Sequence, residues 1–531
     1  MTDALLHGAL ERGAARFGDR DAVRMGDERW SFAELDGLSN AFGRHLSELG
    51  VSAGDRVALM VTNRVEFVLA VNAISKLGAA SVLLSPAWKA REVDHAVTLT
   101  GARHAVADDA GAALLGERLG NAKVVDLDDP ATLAATSAPD RSPLPTVERT
   151  DADESILVFS SGTTGLPKAV RHTHGSIGAG TRHWVTALGL SADDRFQVAT
   201  PPSHILGLLN LLAAAEAGAT VRLHRRFNLD EVLRRIEADG MTLEMAVAPI
   251  ALAMANHPDL ERFDLSSLRY IMWGATPVTE SVAATVTRRT GVRFLPAYGA
   301  SELPVIACNP VADLGAWRLD SAGLPPAEVE LRVVDLDTGA VLESGGIGEI
   351  QARSTSLMAG YLPDEANADA FDDGWYRTGD VGWLEPEGWV HLTDRSKEMI
   401  KVNGFQVAPA EIEAVLHGHP AVLDCVVFAI ADERAGEVPV AAVQLDPAQA
   451  VGDGELEQLV ADSLATYKHL RRLVVVDTIP RLPSGKALRR TLRDEWTPKL
   501  TAVEQLTASQ DRTRQGSPPH VVENPDEFGD R

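Results

Sequence analysis

The sequence is poor in cysteine and has fewer basic than acidic residues. Cys308 and Cys425 are the only two cysteines among 531 residues and neither stands in a CxxC pair, which excludes a disulfide framework. The 75 acidic side chains outnumber the 50 lysines and arginines, for a formal net charge of −25. So acidic a chain lacks the basic face that binding to nucleic acid requires. An anionic ligand must therefore be held by a local cluster of donors.

Long apolar runs are absent too. No uninterrupted stretch reaches the roughly 18 apolar residues of a membrane span, so we expect no integral membrane association. The N-terminal residues 1–7 have no basic region followed by an apolar core, so we expect no secretory signal. Together with the two cysteines, these absences predict a cytoplasmic location.

Several common motifs are missing as well. A Walker A motif would need glycine where Pro480 precedes Gly485-Lys486, and no GxGxxG occurs. The segment 299–303 lacks the final glycine of a nucleophile elbow. Histidines gather at 172–174, but no HExxH is present and no carboxylate is suitably spaced for zinc. The chemistry must come from another pattern.

The arrangement of apolar residues predicts an α/β fold of several domains. Strand patterns at 55–61, 79–84 and 103–107, with a helix pattern at 65–77, are typical of a parallel sheet. Residues 328–354 alternate apolar and polar side chains and predict a β-rich subdomain. The strand and helix patterns between 411 and 464 predict a compact α+β unit of about 100 residues.

Residues 5–49 and residues 128–153 give further expectations of local structure. From Leu5 to Leu49 apolar residues recur at helical spacing, with breaks at Gly18 and Gly26. Ser31 and Glu34 predict the capping box of a helix start. Residues 128–153 are rich in Asp, Pro, Thr and Ser and predict a surface connection.

The stretch from Ser160 to Lys168, SSGTTGLPK, places four hydroxyls, two glycines and a lysine directly after an apolar strand pattern. Glycines let backbone N–H groups approach a polyphosphate, hydroxyls donate to its oxygens and lysine adds a positive charge. The same composition is typical of a flexible linker. Composition alone leaves both interpretations open.

Two strand patterns, at 270–274 and 294–297, end in small or hydroxyl residues: Gly274-Ala275-Thr276 and Tyr298-Gly299-Ala300-Ser301-Glu302. Open α/β sheets bind ligands at the carboxyl ends of their strands. The two strand ends therefore predict part of a ligand site.

These segments belong to a set of six that occur in a fixed order. They are SGTTGLPK at 161–168, YGASE at 298–302, YRTGD at 376–380, DRSK at 394–397, GFQVAP at 404–409 and PSGK at 483–486. The set resembles the acyl-adenylate-forming superfamily of acyl-CoA synthetases, beetle luciferases and peptide-synthetase adenylation domains, and is most similar to the acid–CoA ligase branch. The resemblance runs from the first strands to about Arg490.

The resemblance implies a fold: a large N-terminal domain of stacked α/β sheets with a β-rich subdomain, and a small mobile α+β C-terminal domain. It implies domain bounds of 1–395 and 398–503, with a hinge at 396–397 centred on Lys397. Residues 504–531, rich in Gln, Ser, Asp, Pro and Asn, predict a disordered tail.

The resemblance also implies a nucleotide site for ATP and its product AMP. The residues assigned to it are Ser160, Ser161, Gly162, Thr163, Thr164, Gly165, Lys168, Gly274, Ala275, Thr276, Tyr298, Gly299, Ser301, Asp380, Arg395 and Gln406. Glu302 and Thr163 would bind Mg²⁺, a cation that prefers oxygen ligands. Asp380 would accept both ribose hydroxyls, and the loop from Ser160 would hold the β- and γ-phosphates.

Three residues are assigned to catalysis by the resemblance: Lys486, His204 and Lys401. A carboxylate and ATP are both anions, so attack on the α-phosphorus needs a cation such as Lys486 between them. The alternative for Lys486 is a solvated lysine beside Arg489 and Arg490. His204 would lie by the substrate carboxylate, although a lone histidine there is more often a packed or capping residue.

Coenzyme A is the expected acyl acceptor. Rotation about the hinge would withdraw Lys486 and open a path for the thiol, with Gly404 close to the pantetheine. Lys468 is assigned to a CoA phosphate, or else is simply solvated. Val402-Asn403 stands where the coumarate-ligase branch often has Tyr-Lys, which makes thioester formation less secure than adenylation.

The resulting hypothesis is an ATP- and Mg²⁺-dependent acid–CoA ligase for a small-molecule carboxylic acid. Small residues at Gly207, Ala213, Ala214 and Gly274 suggest room for a bulky apolar acid, aryl or polycyclic, although alanines on a helix are also ordinary packing. One alternative is an enzyme that stops at acyl-AMP or passes the acyl group to an acyl carrier protein. Another is an inactive nucleotide- or acyl-binding homologue.

Overall fold

A computed structural model of the chain describes residues 5–136, 140–160, 167–274, 280–313, 317–395, 398–402, 405–432, 435–481 and 487–500. Its helices are α1 (Gly8–Phe17), α2 (Phe32–Glu48), α3 (Val65–Lys76), α4 (Ala90–Thr100), α5 (Asp109–Leu119), α6 (Pro130–Thr136), α7 (His174–Leu188), α8 (Ile205–Ala217), α9 (Leu229–Asp239), α10 (Ala248–Ala255), α11 (Glu280–Thr290), α12 (Pro409–His417) and α13 (Glu455–Ser463).

The strands of the first half of the chain are β1 (Asp21–Met25), β2 (Glu28–Ser31), β3 (Arg56–Met60), β4 (Ala80–Leu83), β5 (His104–Ala107), β6 (Val124–Asp126), β7 (Glu154–Ser160), β8 (Lys168–Thr173), β9 (Arg195–Val198), β10 (Thr220–Leu223), β11 (Leu243–Val247), β12 (Tyr270–Gly274) and β13 (Phe294–Tyr298). Those of the second half are β14 (Ala307–Cys308), β15 (Val329–Val334), β16 (Gly348–Ser354), β17 (Gly360–Leu362), β18 (Phe371–Asp372), β19 (Trp375–Leu384), β20 (Val390–Arg395), β21 (Ile400–Val402), β22 (Phe405–Val407), β23 (Val422–Asp432), β24 (Gly436–Leu445) and β25 (Arg472–Val475).

A seven-stranded sheet, in the order β17-β8-β7-β4-β3-β5-β6, carries the predicted phosphate loop. The strands β7, β4, β3, β5 and β6 run parallel, and at one edge β8 pairs antiparallel with β7 and β17 pairs antiparallel with β8. Continuous apolar runs such as those of β3 and β4 suit a sheet that is covered on both faces. The sheet therefore provides a rigid base for the loop between β7 and β8.

Two further sheets of the N-terminal part run largely parallel. One has the order β2-β1-β10-β9, and the other has the order β11-β12-β13-β14. One large apolar core joins the first two sheets to α2, α3, α7 and α8, and includes residues such as Phe42, Phe67 and Leu208. A separate core fills the space between β11–β13 and α9–α11. This arrangement is the stacked α/β domain that the sequence predicts.

The β-rich subdomain and the C-terminal unit complete the fold. Strands β15, β16, β18, β19 and β20 form one antiparallel sheet. In the C-terminal unit β22, β21, β24 and β23 are antiparallel, β25 pairs with β24 in parallel, and α12 and α13 pack on the sheet. The predicted fold class is thus confirmed.

Local expectations in the first part of the chain are met unevenly. The Ser31–Glu34 capping box of α2 is confirmed. The helical interpretation of the segment between Gly18 and Ser31 is wrong, because β1 and β2 form a hairpin there. Gly26, with φ of 57°, makes the turn. The surface connection after residue 128 also contains the short helix α6.

Among the described helices, none combines the length and the apolar character needed to cross a membrane.

Candidate active site

The site is built at the carboxyl ends of β12 and β13, which are parallel neighbours. Gly274 is the last residue of β12 and Tyr298 is the last residue of β13. A Cβ atom at Gly299 would lie 2.1 Å from the carbonyl oxygen of Pro304, so only glycine allows the chain to turn back so closely. This turn places Ser301 and Glu302 beside the strand ends.

Tyr298 and Asp380 form a direct pair. The phenol of Tyr298 donates a 2.5 Å hydrogen bond to Oδ2 of Asp380, and both residues are buried. The backbone N–H of Asp380 donates to Thr378 Oγ1, and that hydroxyl donates to the carbonyl of Ile350. The carboxylate expected to bind ribose is therefore fixed from both its side chain and its backbone.

Glu302 is a buried carboxylate, only 8% exposed. Its Oε1 accepts a 2.8 Å hydrogen bond from the phenol of Tyr361, and its carbonyl accepts one from the N–H of Met358. The ammonium of Lys168 lies 5.2 Å from the centre of the Tyr361 ring. Tyr361 thus contacts two of the predicted residues, Glu302 through its hydroxyl and Lys168 through its ring.

Ser301 is held through its backbone. The imidazole Nε2 of His172 lies 2.8 Å from the carbonyl oxygen of Ser301, and Nδ1 lies 3.0 Å from the hydroxyl of Ser176. Burial lowers the pKa of His172 to about 4, so the ring is neutral at pH 7 and donates its Nε2–H to the carbonyl. His172 therefore fixes the turn in which Ser301 and Glu302 stand.

The predicted phosphate loop connects β7 to β8. Ser160, the last residue of β7, lies opposite Lys168, the first residue of β8, in an antiparallel pair. Both ends of the loop are therefore anchored on the seven-stranded sheet.

His204 is the N-cap of α8. Its Nδ1 accepts a 3.3 Å hydrogen bond from the N–H of Leu206, which is the capping role that the sequence left open. Burial lowers the pKa of His204 to about 4, so the ring is neutral at pH 7. Since Nδ1 is the acceptor, the proton resides on Nε2, which can donate to an anionic oxygen.

The remaining predicted residues that the structure describes lie on β20 and in the C-terminal unit. Lys401, on β21, is exposed and lies opposite Gln406 of β22. Lys468 forms an ion pair with Glu411 of α12, so its ammonium is not simply solvated. Arg395, at the end of β20, lies opposite Asp380 in the sheet. That register places the backbone of Asp394 and Arg395 next to the strand segment that carries the predicted ribose carboxylate.

Several predicted residues lie outside the described residues, and so do the tail 504–531 and the hinge 396–397. They are Ser161, Gly162, Thr163, Thr164, Gly165, Ala275, Thr276, Lys397, Gly404 and Lys486.

Sequence reasoning missed Tyr361 altogether and assigned no role to Tyr376. Tyr376 is buried, and burial together with the nearby Glu302 and Tyr361 raises its pKa well above the usual value. The chain has only 5 tyrosines, and Tyr298, Tyr361 and Tyr376 are three of them. The small number of tyrosines was the one feature of the sequence that could have indicated a role for Tyr361 and Tyr376.

The small residues that suggested a roomy acyl pocket serve the packing of the fold. A Cβ atom at Gly207 would lie 2.4 Å from the carbonyl oxygen of Pro201, so glycine is required by backbone approach. Ala214 lines an apolar cavity of about 30 Å³ among α1, α2, α3 and α8, which none of the assigned residues borders. Trp273 packs against Phe294 in the core beneath α10 and α11. These residues therefore lend no support to a bulky substrate.

The donor set suits a magnesium–nucleotide ligand. Among the described residues, no cluster of three or more His, Cys, Asp or Glu side chains could hold a metal ion by itself. Glu302 is a buried carboxylate whose Oε1 accepts a hydrogen bond from a phenol. Mg²⁺ typically binds one or two carboxylates together with substrate phosphates and water, which the single carboxylate of Glu302 would match.

Comparisons with known proteins identify the family of the chain. The family model described as AMP-binding enzyme matches residues 10–362, and the AMP-binding enzyme C-terminal domain matches residues 411–486. The 4-coumarate–CoA ligase 5 of Oryza sativa subsp. japonica is 36% identical over 481 residues, which cover 88% of this chain and 89% of the relative.

Two solved structures extend the comparison. The anthranilate CoA ligase AuaEII, in complex with anthranoyl-AMP, has a TM-score of 0.87 and 26% identity, covering 94% of this chain and 98% of its own. The amide bond synthetase McbA from Marinactinospora thermotolerans has a TM-score of 0.84 and 30% identity, covering 92% and 99%. With both family domains matched in order and relatives aligned over nearly its whole length, the chain belongs to the AMP-binding enzymes, on the acid–CoA ligase branch of the acyl-adenylate-forming superfamily.

Proposed function

We propose that this enzyme activates an aryl or similarly bulky apolar carboxylic acid as its acyl-AMP and then transfers the acyl group to coenzyme A. The observation that carries the residue assignments is the convergence of two buried carboxylates at the end of β13. Asp380 is held by Tyr298, and Glu302, four residues beyond Tyr298, is held by Tyr361. One carboxylate is suited to ribose hydroxyls and the other to a cation on phosphate oxygens.

In the first half-reaction, an oxygen of the acid attacks the α-phosphorus of ATP, and the bond to the β-phosphate breaks to release pyrophosphate. Asp380 orients the ribose, and Lys168 with the loop hydroxyls holds the β- and γ-phosphates. Lys486 bridges the carboxylate and the α-phosphate and stabilises the charge that develops between them. Glu302 and Thr163 would hold Mg²⁺, which would neutralise part of the phosphate charge. His204 donates Nε2–H toward the carboxylate.

In the second half-reaction the CoA thiol attacks the acyl carbonyl, its proton is lost, and the bond to AMP breaks. We propose that the unit 398–503 turns about Lys397 for this step, withdrawing Lys486 and bringing Lys401, Gln406 and Gly404 to the site. The pairing of Lys401 with Gln406 on adjacent strands supports their joint movement. In this proposal Lys468 reaches CoA only by exchanging its partner Glu411 for a phosphate.

The aryl character of the acid rests on the relatives rather than on the pocket. Their names specify 4-coumarate and anthranilate, both aromatic acids. The buried free cysteines, Cys308 and Cys425, support the cytoplasmic location that belongs to the same proposal.

A panel of acids tests the proposal. The purified enzyme is incubated with ATP and Mg²⁺ and with 4-coumarate, anthranilate, a long-chain fatty acid or an amino acid, and acid-dependent pyrophosphate–ATP exchange is measured. We expect exchange with an aromatic acid, and thioester only when CoA is added. Exchange confined to the fatty or amino acid would refute the substrate class.

The acceptor is tested in the same reactions. Adenylate without thioester would refute CoA as acceptor, and amide formation with an added amine would then point to chemistry like that named for McbA. Thioester on an added acyl carrier protein would instead favour the carrier alternative.

A further inference from the structure

Tyr361 occupies an unusual position between two parts of the site. It lies on β17, the edge strand of the seven-stranded sheet, opposite Val170 of β8. Strand β8 begins at Lys168, the residue that closes the phosphate loop. Tyr361 is therefore fixed to the same strand that carries the loop lysine.

The hydroxyl of Tyr361 faces the second part of the site. It donates a 2.8 Å hydrogen bond to Glu302 Oε1, and the buried Tyr376 lies near both groups. A donor to an ionised carboxylate forms a stronger bond than a neutral pair does, and it restricts the directions in which the carboxylate can point. The hydroxyl of Tyr361 thus fixes the direction of the Glu302 carboxylate.

The ring of Tyr361 contacts the first part. The ammonium of Lys168 lies 5.2 Å from the ring centre, within the range of a cation–π interaction. One side chain therefore orients a carboxylate with its hydroxyl and a lysine with its ring.

The backbone of Tyr361 is clamped by Asn367. The N–H of Tyr361 donates to Asn367 Oδ1 at 2.7 Å, and Asn367 Nδ2 donates to the Tyr361 carbonyl at 3.2 Å. The N–H of Met358 binds the carbonyl of Glu302 at 2.8 Å. Hydrogen bonds to Asn367 and to Glu302 therefore hold the segment 358–361 in place before any ligand binds.

We propose that Tyr361 is a positioning residue that couples the phosphate-loop lysine to the carboxylate that binds the metal. This inference rests on the proposed function, since it takes Glu302 as a ligand of Mg²⁺ and Lys168 as a phosphate contact. Its hydroxyl sets the metal affinity through Glu302, and its ring sets the affinity for the terminal phosphates through Lys168. The two effects are separable by substitution.

The test measures binding rather than turnover. Mn²⁺, which is visible by electron paramagnetic resonance, is titrated into the full-length protein with a non-hydrolysable ATP analogue. Tyr361→Phe keeps the ring and removes the hydroxyl, so we expect Mn²⁺ affinity to fall about 10-fold. Pyrophosphate affinity should stay at the wild-type value. Tyr361→Leu should lose both, with pyrophosphate bound about 3-fold more weakly.

Two variants separate positioning from a general loss of stability. Tyr270→Phe removes another buried phenol, which donates to the Leu188 carbonyl, and should lower the unfolding temperature without changing Mn²⁺ affinity. Asn367→Ala frees the Tyr361 backbone without touching Glu302 or Lys168, and should weaken Mn²⁺ binding in the same direction as Tyr361→Phe.

The possible failures are distinct. Wild-type Mn²⁺ affinity in Tyr361→Phe would overturn the inference and leave the proposed function intact. A wild-type protein that binds Mn²⁺ with the analogue yet activates no acid would refute the proposed function alone. Absence of analogue-dependent Mn²⁺ binding in the wild type would overturn both.

Discussion

Glu244 shows how a single buried side chain can make the stability of this protein depend on pH. It lies on β11, only 2% exposed, and its Oε2 accepts a 2.9 Å hydrogen bond from Gln197 Nε2. The amide oxygen of Gln197 is in turn 2.5 Å from His224 Nε2. Burial raises the pKa of Glu244 to about 8 and lowers the pKa of His224 to about 4, so both are neutral at pH 7.

The sign of the effect follows from these values. Between pH 4.5 and 8 the unfolded chain releases the Glu244 proton while the folded protein retains it, so folding stability falls as the pH rises through that window. Glu244→Gln keeps an acceptor for Gln197 and removes the titration. We expect the variant to gain in unfolding temperature relative to wild type on going from pH 5 to pH 8.5. An identical difference between the two proteins at both pH values would contradict this role of Glu244.

Tyr298 offers a residue-scale test of the nucleotide site. Tyr298→Phe removes the 2.5 Å hydrogen bond to Asp380 and leaves the ring in place. A bond to a carboxylate of this kind is worth about 1.5 kcal/mol, so ATP should bind about 10-fold more weakly because Asp380 is less well oriented.

Calorimetric titration with ATP measures this loss, and Tyr467→Phe, in the C-terminal unit, is the matched control. Equal ATP affinity in Tyr298→Phe and wild type would show that Asp380 needs no support from the phenol.

At the scale of elements, partly buried arginine–carboxylate pairs hold the C-terminal unit together near its predicted catalytic segment. Arg489 donates to both carboxylate oxygens of Glu413 on α12, to Glu398 just after the predicted hinge, and to the carbonyl of Val427 on β23. Arg481, on the other side of residues 482–486, donates twice to Asp424 of β23. Both flanks of the PSGK segment are therefore anchored to the same strand.

Arg489→Ala leaves two partly buried carboxylates without their cation, so it should destabilise the C-terminal unit by about 3 kcal/mol. Pyrophosphate–ATP exchange should fall with it, because the segment that carries Lys486 loses one anchor. Thermal unfolding and exchange are measured beside Arg490→Ala, which removes an exposed arginine that lies 3.5 Å from the nearby Asp494 on the surface. Equal behaviour of the two variants would contradict the anchoring role.

The elements also show where sequence patterns succeed and where they fail. The capping box of α2 was predictable because Ser31 and Glu34 interact within one turn. The hairpin of β1 and β2 was not, since strands of five and four residues are too short for periodicity to distinguish from a helix. The hairpin is stabilised by pairing of β1 with the distant β10, which no local pattern reveals.

At the scale of the molecule, some site residues could be predicted from the sequence, and others depend on contacts between distant strands. Tyr298 and Glu302, at and just beyond the end of β13, and Asp380, within β19, stand in ordered motifs and were assigned from the sequence by the family resemblance. Tyr361 meets Glu302 only because β17 joins the edge of a sheet whose neighbouring strand, β8, lies far earlier in the chain. The size of the acyl pocket could not be predicted for a similar reason. Gly207 suggested open space in the sequence, but it is required because a side chain there would collide with the backbone of Pro201.

The central claim is that one site performs adenylation and then thioester formation, with Lys486 needed for the first step. The most direct measurement is the joint rate of formation of AMP, pyrophosphate and thioester from ATP, CoA and the aromatic acid that is most active in the exchange panel, for wild type and for Lys486→Ala. We predict the three products in equal amounts for wild type, and formation of all three at least about 100-fold slower in the variant. AMP without thioester in the wild type, or undiminished pyrophosphate release in Lys486→Ala, would contradict the claim.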